Sequence, residues 1–166
     1  MAPAENTPDS SPSLPPDTPA AAPTESEATQ LVLRHTLRLR VRYSETDQMG
    51  TFYNSRALEW FECGRTELLR SARLPYATME ERGVFLPLVE AHVEFLGRAR
   101  YDDPLEITTA ANFEGRARLR CRADIVQAET RQPVARGYTI HAFADRAGKA
   151  IRPPSWFLEL FPRRPA

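Results

Sequence analysis

Residues 33–72 read LRHTLRLRVRYSETDQMGTFYNSRALEWFECGRTELLRSA and contain two different periodicities. Over residues 33–43 apolar and polar side chains alternate one by one, which is typical of a β-strand with one face in solvent. From Ser55 to about Ala72 apolar residues recur at helical spacing and proline is absent, which predicts an amphipathic helix. The stretch therefore predicts a strand, a loop and a long helix.

The rest of the chain predicts a short second helix and more strands. Pro75 is placed to open a short helix and Gly83 to end it. Strand-like alternation follows four times, and the apolar residues near the C-terminus predict a short docking helix; the segments are 84–100, 105–111, 116–123, 134–145 and 156–160. Consecutive antiparallel strands with one apolar helix belong to the α+β class. We predict a five-stranded antiparallel sheet wrapped around the long helix.

Residues 1–30 differ in composition from the rest of the chain. They hold seven of the 15 prolines, five acidic residues, and no lysine, arginine or aromatic residue. Such a segment buries too little apolar surface to offset its ordering entropy, which predicts a disordered Pro/Ala-rich tail. The predicted domain, residues 31–166, carries 22 basic and 17 acidic residues, a net charge of +5. This bias is compatible with an anionic small ligand and too weak to indicate nucleic acid.

Targeting and metal signals favour a cytoplasmic protein without a metal. No basic and apolar leader follows Met1, and no run approaches the roughly 18 apolar residues of a membrane span. Cys63 and Cys121 stand alone in different predicted elements, and the three histidines lie far apart. We therefore expect two reduced thiols and no metal site.

Two acidic residues, Glu45 and Asp47, come just before the predicted start of the long helix. The N-terminus of a helix has unpaired N–H groups and favours negative charge, so one explanation is ordinary stabilising electrostatics. The other explanation is catalytic: a carboxylate there could attack a carbonyl or activate water, while the N–H groups hold the oxyanion. The pattern alone leaves both explanations open.

Several segments taken together are similar to a known family. They are Val41-Arg-Tyr-Ser-Glu-Thr-Asp-Gln-Met-Gly50, Phe52-Tyr-Asn54 and Trp60-Phe-Glu-Cys-Gly-Arg-Thr-Glu-Leu-Leu69, with the later strands at 93–103 and 137–153. The combination resembles the hotdog-fold acyl-CoA thioesterases of the 4-hydroxybenzoyl-CoA thioesterase type over about residues 33–155. The resemblance implies an antiparallel sheet around a central helix. It also implies a homodimer or homotetramer with active sites at the protomer interface.

The resemblance also assigns roles to residues. Asp47 would be the catalytic carboxylate, acting as nucleophile or as general base on water. The backbone N–H of Asn54 would form the oxyanion hole, and Gly50 would let the loop turn and the thioester approach closely. Close relatives often carry histidine where this chain has Asn54, so no imidazole acts there. The candidate substrate-binding residues are Tyr53, Met49, Glu62, Arg98 and Arg100, the two arginines as partners of CoA phosphates.

Simpler structural roles compete for some of these residues. Glu62 lies three residues before Arg65, which predicts an i,i+3 ion pair that Glu67 could join. Tyr53 fits a core position as well as an acyl pocket, and the two arginines fit a solvated surface. Gly64 lowers helix propensity by roughly 1 kcal/mol relative to alanine, which predicts a close approach of the helix to the sheet.

The predicted function is hydrolysis of an acyl-CoA thioester to a free acid and CoA. No metal or redox cofactor is required, because a thioester is already activated and lacks strong resonance stabilisation. A hotdog hydratase is one alternative, but its proton transfer needs a histidine and residues 44–54 contain none. A non-catalytic module that binds acyl-CoA or acyl-carrier protein is another, and Asp47 argues against it.

Overall fold

The computed structural model describes residues 32–161, so the predicted tail at 1–30 lies outside the described residues. Within this range the chain forms one five-stranded antiparallel sheet in the order β1-β3-β4-β5-β2. The strands are β1 (Leu33–Arg40), β2 (Leu88–Phe95), β3 (Pro104–Glu114), β4 (Arg118–Gln127) and β5 (Pro133–Ala142). The helices are α1 (Arg56–Ser71), α2 (Tyr76–Glu81) and α3 (Ser155–Leu158). Of these helices, none is long and apolar enough to cross a lipid bilayer.

Every predicted strand and helix in this range is present, which confirms the predicted α+β class. The first strand ends at Arg40 instead of continuing to Tyr43. The reason is a 3₁₀ turn at Tyr43–Glu45, which breaks the alternation and brings Glu45 into the interior with 2% of its surface exposed. This turn starts the loop that leads into α1.

α1 packs on the sheet through one apolar face, mainly against β1 and β3. Its buried residues fall into two clusters along the helix. The first cluster surrounds Trp60 and Phe61 and includes Ile107 of β3. The second surrounds Leu68 and includes Phe143. The core is therefore divided along α1 into two apolar parts.

Gly64 lies between these clusters and lets α1 approach β3 closely. A Cβ at this position would collide with Oγ1 of Thr109 and would lie 3.0 Å from Cγ2 of Ile107. The absence of a side chain therefore outweighs the low helix propensity of glycine. The predicted close approach is confirmed.

β2 is an edge strand of the sheet and pairs only with β5 among the described strands. Its register shifts between Leu88 and Glu90, just after Pro87, which has no N–H to donate to a neighbouring strand. Because α1 lies over the opposite half of the sheet, β2 is left partly uncovered. Phe95, whose partner Ala135 is buried, is itself 50% exposed.

Candidate active site

The loop at residues 46–52, here called the reactive loop, presents Asp47 on a tight turn. The N–H of Asp47 donates to the carbonyl oxygen of Thr51 at 2.9 Å, and the N–H of Gly50 donates to the carbonyl oxygen of Asp47 at 3.1 Å. Gly50 has a φ of +68°, a left-handed conformation that glycine adopts without strain. Gly50 therefore closes the turn that carries Asp47.

The Asp47 carboxylate is half-buried, and its two oxygens differ. Oδ1 accepts the N–H of Met49 at 2.8 Å, which fixes the side chain on the turn. Among the hydrogen bonds of residues 32–161, none uses Oδ2. One carboxylate oxygen is thus held by the protein, and the other can act on a water molecule or a carbonyl carbon.

The start of α1 leaves two backbone donors free. α1 begins at Arg56, with Ser55 as its N-cap. The N–H of Arg56 donates to the carbonyl oxygen of Tyr53 at 2.8 Å, and the N–H of Ala57 donates to that of Asn54 at 3.4 Å. The N–H groups of Asn54 and Ser55 themselves have no acceptor within the described part of the chain. Free donors at a helix N-terminus can stabilise an oxyanion.

Glu45 ties the reactive loop to α1. Its side chain is 3% exposed. Oε2 accepts the backbone N–H of Arg42 at 2.7 Å. Oε1 accepts from Nη2 of Arg42 at 2.8 Å and from Nε1 of Trp60 at 3.2 Å. The carbonyl oxygen of Glu45 accepts the N–H of Tyr53 at 2.8 Å. Burial raises the pKa of Glu45, but the hydrogen bonds from Arg42 and Trp60 outweigh it, so the pKa is lowered. Glu45 is therefore a buried, ionised carboxylate.

The segment at 98–100 runs beside the reactive loop. The N–H of Phe52 donates to the carbonyl oxygen of Ala99 at 2.9 Å. Ala99 is buried, whereas Arg98 and Arg100 on either side of it are exposed. Within residues 32–161, neither guanidinium group has an ion pair or a hydrogen bond. Two guanidinium groups without an ion-pair partner among the described residues therefore lie on either side of Ala99, which binds the loop.

Two of the predicted substrate-binding residues lie on the surface. Met49 is 73% exposed and Tyr53 is 58% exposed. The interpretation of Tyr53 as a core residue is therefore wrong. Its neighbour Phe52 takes the buried position, and Tyr53 turns outward. Because Tyr53 is exposed, its side chain is accessible for the predicted contact with substrate.

The predicted ion pair between Glu62 and Arg65 is also wrong. The guanidinium of Arg65 lies over the ring of Tyr76 in α2, 5.6 Å from the ring centroid. Glu67 pairs with Arg70 instead of joining Arg65. Glu62 is exposed on α1, and no ion pair of the described residues includes it. The i,i+3 spacing permits a pair, but the aromatic ring of α2 competes for the arginine.

The cysteines are free thiols in different places, since Cys63 is exposed on α1 and Cys121 is buried in β4. Burial raises the pKa of Cys121 to about 12, so this thiol stays protonated. Over residues 32–161, no three His, Cys, Asp or Glu side chains are grouped as metal ligands would be.

A five-stranded antiparallel sheet packed against one long helix, with a carboxylate on the loop before that helix, places the protein in the hotdog-fold class. The chain belongs to the thioesterase-like superfamily, whose family model matches residues 41–161. The family resemblance stated from the sequence is confirmed by this match.

Individual relatives carry thioesterase names. A Bacillus subtilis protein named "Putative acyl-CoA thioesterase YneP" is 37% identical over 71 residues, which are 43% of this chain and 51% of that protein, so the match spans about half of its length. Slr0204, a 1,4-dihydroxy-2-naphthoyl-CoA thioesterase from Synechocystis, has a TM-score of 0.72 and 26% identity over 76% of this chain and 94% of that chain. The 4-hydroxybenzoyl CoA thioesterase from Pseudomonas sp. strain CBS-3 has a TM-score of 0.68 and 26% identity over 76% and 98%.

Proposed function

We propose that this protein is an acyl-CoA thioesterase, which hydrolyses an acyl-CoA thioester to a free acid and CoA. The observation that carries the proposal is the hydrogen bond from the Tyr53 N–H to the Glu45 carbonyl oxygen, 2.8 Å long. Asp47 follows Glu45 by two residues and Asn54 follows Tyr53 directly, so this bond ties the chain near Asp47 to the chain at the start of α1. The thioesterase names of the relatives support the same function.

In the proposed reaction the Asn54 N–H acts at the oxygen of the thioester carbonyl, and Asp47 acts at its carbon. The N–H of Asn54 donates to the carbonyl oxygen and stabilises the negative charge that develops there. Oδ2 of Asp47 either attacks the carbonyl carbon or takes a proton from an attacking water molecule. The C–S bond then breaks and CoA leaves as a thiolate that takes up a proton. In the nucleophilic route, water hydrolyses the mixed anhydride on Asp47; neither route needs a metal or redox cofactor.

The substrate-binding residues are proposed from their positions. Arg98 and Arg100 lie beside the reactive loop, and their guanidinium groups have no partner among the described residues, which suits the phosphates of CoA. Met49 and Tyr53 are exposed on and next to that loop, where the thioester must enter. Glu62 is exposed on α1, has no ion pair within residues 32–161, and is proposed as a further substrate contact.

We further propose a homodimer or homotetramer in the cytoplasm. The open edge of β2 supports self-association, because an unpaired strand edge with exposed apolar side chains favours pairing with a second copy. Leu88 and Phe95 of this strand are 53% and 50% exposed. The cytoplasmic location rests on the sequence alone.

Asp47→Asn tests the proposed function. The amide keeps an oxygen for the Met49 N–H but removes the nucleophile or base, so we expect the same fold and assembly. Turnover should fall by about two to four orders of magnitude. The measurement is thiol release, followed with a chromogenic thiol reagent, across a panel of acyl-CoAs of different chain length and aromatic content.

Asp145→Asn is a matched control. Oδ1 of Asp145 accepts the N–H groups of Ala147 and Lys149 at 2.9 Å each, so this residue also caps a turn with its carboxylate. It lies after β5, at the opposite end of that strand from the reactive loop, and its substitution should leave turnover unchanged. Near-wild-type turnover in Asp47→Asn would refute the assignment. Tight binding of acyl-CoA without any thiol release would favour the non-catalytic module.

A further inference from the structure

We infer that Glu45 is a positioning residue for the reaction, whose buried carboxylate fixes the distance between Asp47 and the Asn54 N–H. This inference rests on the proposed function. From the sequence alone, Glu45 is only a second acidic residue near the helix start. The structure gives it contacts that Asp47 lacks.

Donors surround the Glu45 carboxylate. Besides the three hydrogen bonds described above, Nε of Arg42 donates to Oε1 at 3.1 Å. The group is therefore ionised and enclosed, and its 3% exposure keeps substrate away from it. Glu45 cannot serve as the base or the nucleophile. Its effect on the reaction must pass through the residues that it holds.

Glu45 holds the start of α1 at two points. Its side chain accepts from Nε1 of Trp60, in the second turn of α1, and its backbone carbonyl accepts from Tyr53, the residue before Asn54. The carbonyl of Tyr53 in turn accepts the N–H of Arg56, in the first turn. A shift of Glu45 would therefore move Asp47, two residues further on, relative to the free N–H groups.

Trp60 connects Glu45 to the other end of the reactive loop. Its ring packs on Phe52, with ring centroids 4.9 Å apart. Phe52 is the last residue of the loop, and Glu45 directly precedes the first. One indole thus contacts both ends of the loop, one by a hydrogen bond and the other by packing. Asp47 lies on the turn between these two contacts.

This arrangement explains why a charge is buried here. Burying a carboxylate is costly, and a buried ion pair can often be replaced by apolar residues without loss of stability. Directional hydrogen bonds set a position that apolar packing defines less sharply. Since a misplacement of about 1 Å can lower a rate by about 100-fold, the position of Glu45 matters more for turnover than for folding.

Glu45→Gln in the full chain tests the inference. Glutamine keeps the shape and one acceptor, but its NH₂ group faces donors of Arg42 or Trp60 and displaces the loop. We expect kcat to fall about 10- to 100-fold while KM changes by less than about threefold, measured on the acyl-CoA that the wild type cleaves fastest. Trp60→Phe removes one donor and keeps the ring on Phe52, so its kcat should fall by a smaller factor, about two- to tenfold.

Glu106→Gln is the matched control for loss of a partly buried, paired carboxylate. Glu106 is 12% exposed and pairs with Arg38 and Arg131 on the outer face of the sheet. Its substitution should lower the melting temperature without changing kcat. All assays are run well below each variant's melting temperature, so that only folded protein is compared.

The outcomes separate the inference from the proposed function. Folded Glu45→Gln with wild-type kcat, or with an increase in KM alone, would overturn the positioning role. If Glu45→Gln does not fold, unchanged kcat in Trp60→Phe would overturn it. Absence of thiol release from the wild type itself would instead refute the proposed function.

Discussion

Two groups of polar side chains lie against α1, and burial affects Glu45 of the first and His141 of the second differently. The first, the loop anchor, comprises Glu45 and Trp60 with Arg42 at the N-terminal end of the helix. The second, the mid-helix polar group, comprises Arg65, Thr109 and His141; of these, Thr109 is 1% and His141 is 3% exposed. The loop anchor keeps its charge in the interior, whereas His141 of the second group is kept neutral.

The difference comes from the hydrogen bonds. In the loop anchor, donors from Arg42 and Trp60 overcome the effect of burial and lower the pKa of Glu45. In the mid-helix polar group, burial and then the positive charge of Arg65 lower the pKa of His141 to about 4. Nδ1 of the neutral imidazole donates to the carbonyl oxygen of Leu86, and Nε2 accepts from Oγ1 of Thr139, at 3.0 Å each.

The two groups also differ in how completely they are satisfied. Nη1 of Arg65 and Oγ1 of Thr109 are buried and have no hydrogen-bond partner within residues 32–161. The Glu45 carboxylate, by contrast, accepts a hydrogen bond on each oxygen. Both oxygens of the Glu45 carboxylate are therefore hydrogen-bonded, whereas Arg65 and Thr109 each keep a buried polar atom without a partner among the described residues. The hydrogen bonds on both oxygens fix the position of the Glu45 carboxylate beside the reactive loop.

The largest effect expected in this comparison is on the pH dependence of stability. The pKa of His141 is about 4 in the folded chain and 6.5 in its ordinary state, so between these values only the unfolded chain takes up the proton. Stability should therefore fall as the pH drops from 7 to 5, by about 2 kcal/mol from this residue. His141→Asn, whose amide can still donate to Leu86, should lose this part of the decrease. Urea unfolding at the two pH values measures it.

The contributions of Glu45 and His141 to the free energy of unfolding are lost in different pH ranges. Because the pKa of Glu45 is lowered from 4.5, its contribution is present above that value and is lost only as the pH falls below it. The decrease between pH 7 and pH 5 thus isolates His141 from Glu45. If His141→Asn kept the whole wild-type decrease, the imidazole would not be the neutral member of the second group.

A smaller effect is expected when the spacing between α1 and β3 is changed. Gly64→Ala adds a Cβ that collides with Thr109, and this overpacking outweighs the gain in helix propensity. We expect a net loss of about 1–2 kcal/mol in the free energy of unfolding. Adding Thr109→Ala should recover most of that loss, because Oγ1 is the nearest atom. Denaturant unfolding of the four proteins of the double-mutant cycle measures the coupling, and additive effects would contradict the close approach.

The sequence predicts the fold better than it predicts these two groups. Period-two alternation and helical spacing are local patterns, so the strands and α1 follow from them directly. Asp47 is found through its short motif. The anchor role of Glu45 is missed because its partner Trp60 lies 15 residues away in sequence. The nearest signal is the i,i+3 spacing of Arg42 and Glu45, which by itself indicates only an ion pair.

The sequence does not predict the mid-helix polar group, for a related reason. Its members come from α1, β3 and β5, and only the sheet register brings them to one face. A rule based on local spacing pairs Arg65 with Glu62, whereas the fold brings the ring of Tyr76 to the guanidinium. The local rule therefore fails where a tertiary contact competes with it.

The smallest expected effect compares two threonines on the same face of the sheet. Oγ1 of Thr109 is buried and has no partner in the described part of the chain, so Thr109→Val should raise the free energy of unfolding by about 1 kcal/mol. Thr139→Val makes the same exchange but removes the hydrogen bond to His141, and it should lower that free energy by about 1 kcal/mol. Urea unfolding at pH 7 measures both. Destabilisation by both variants would show that the Thr109 hydroxyl has a partner, and the contrast in hydrogen bonding between the two groups would then fail.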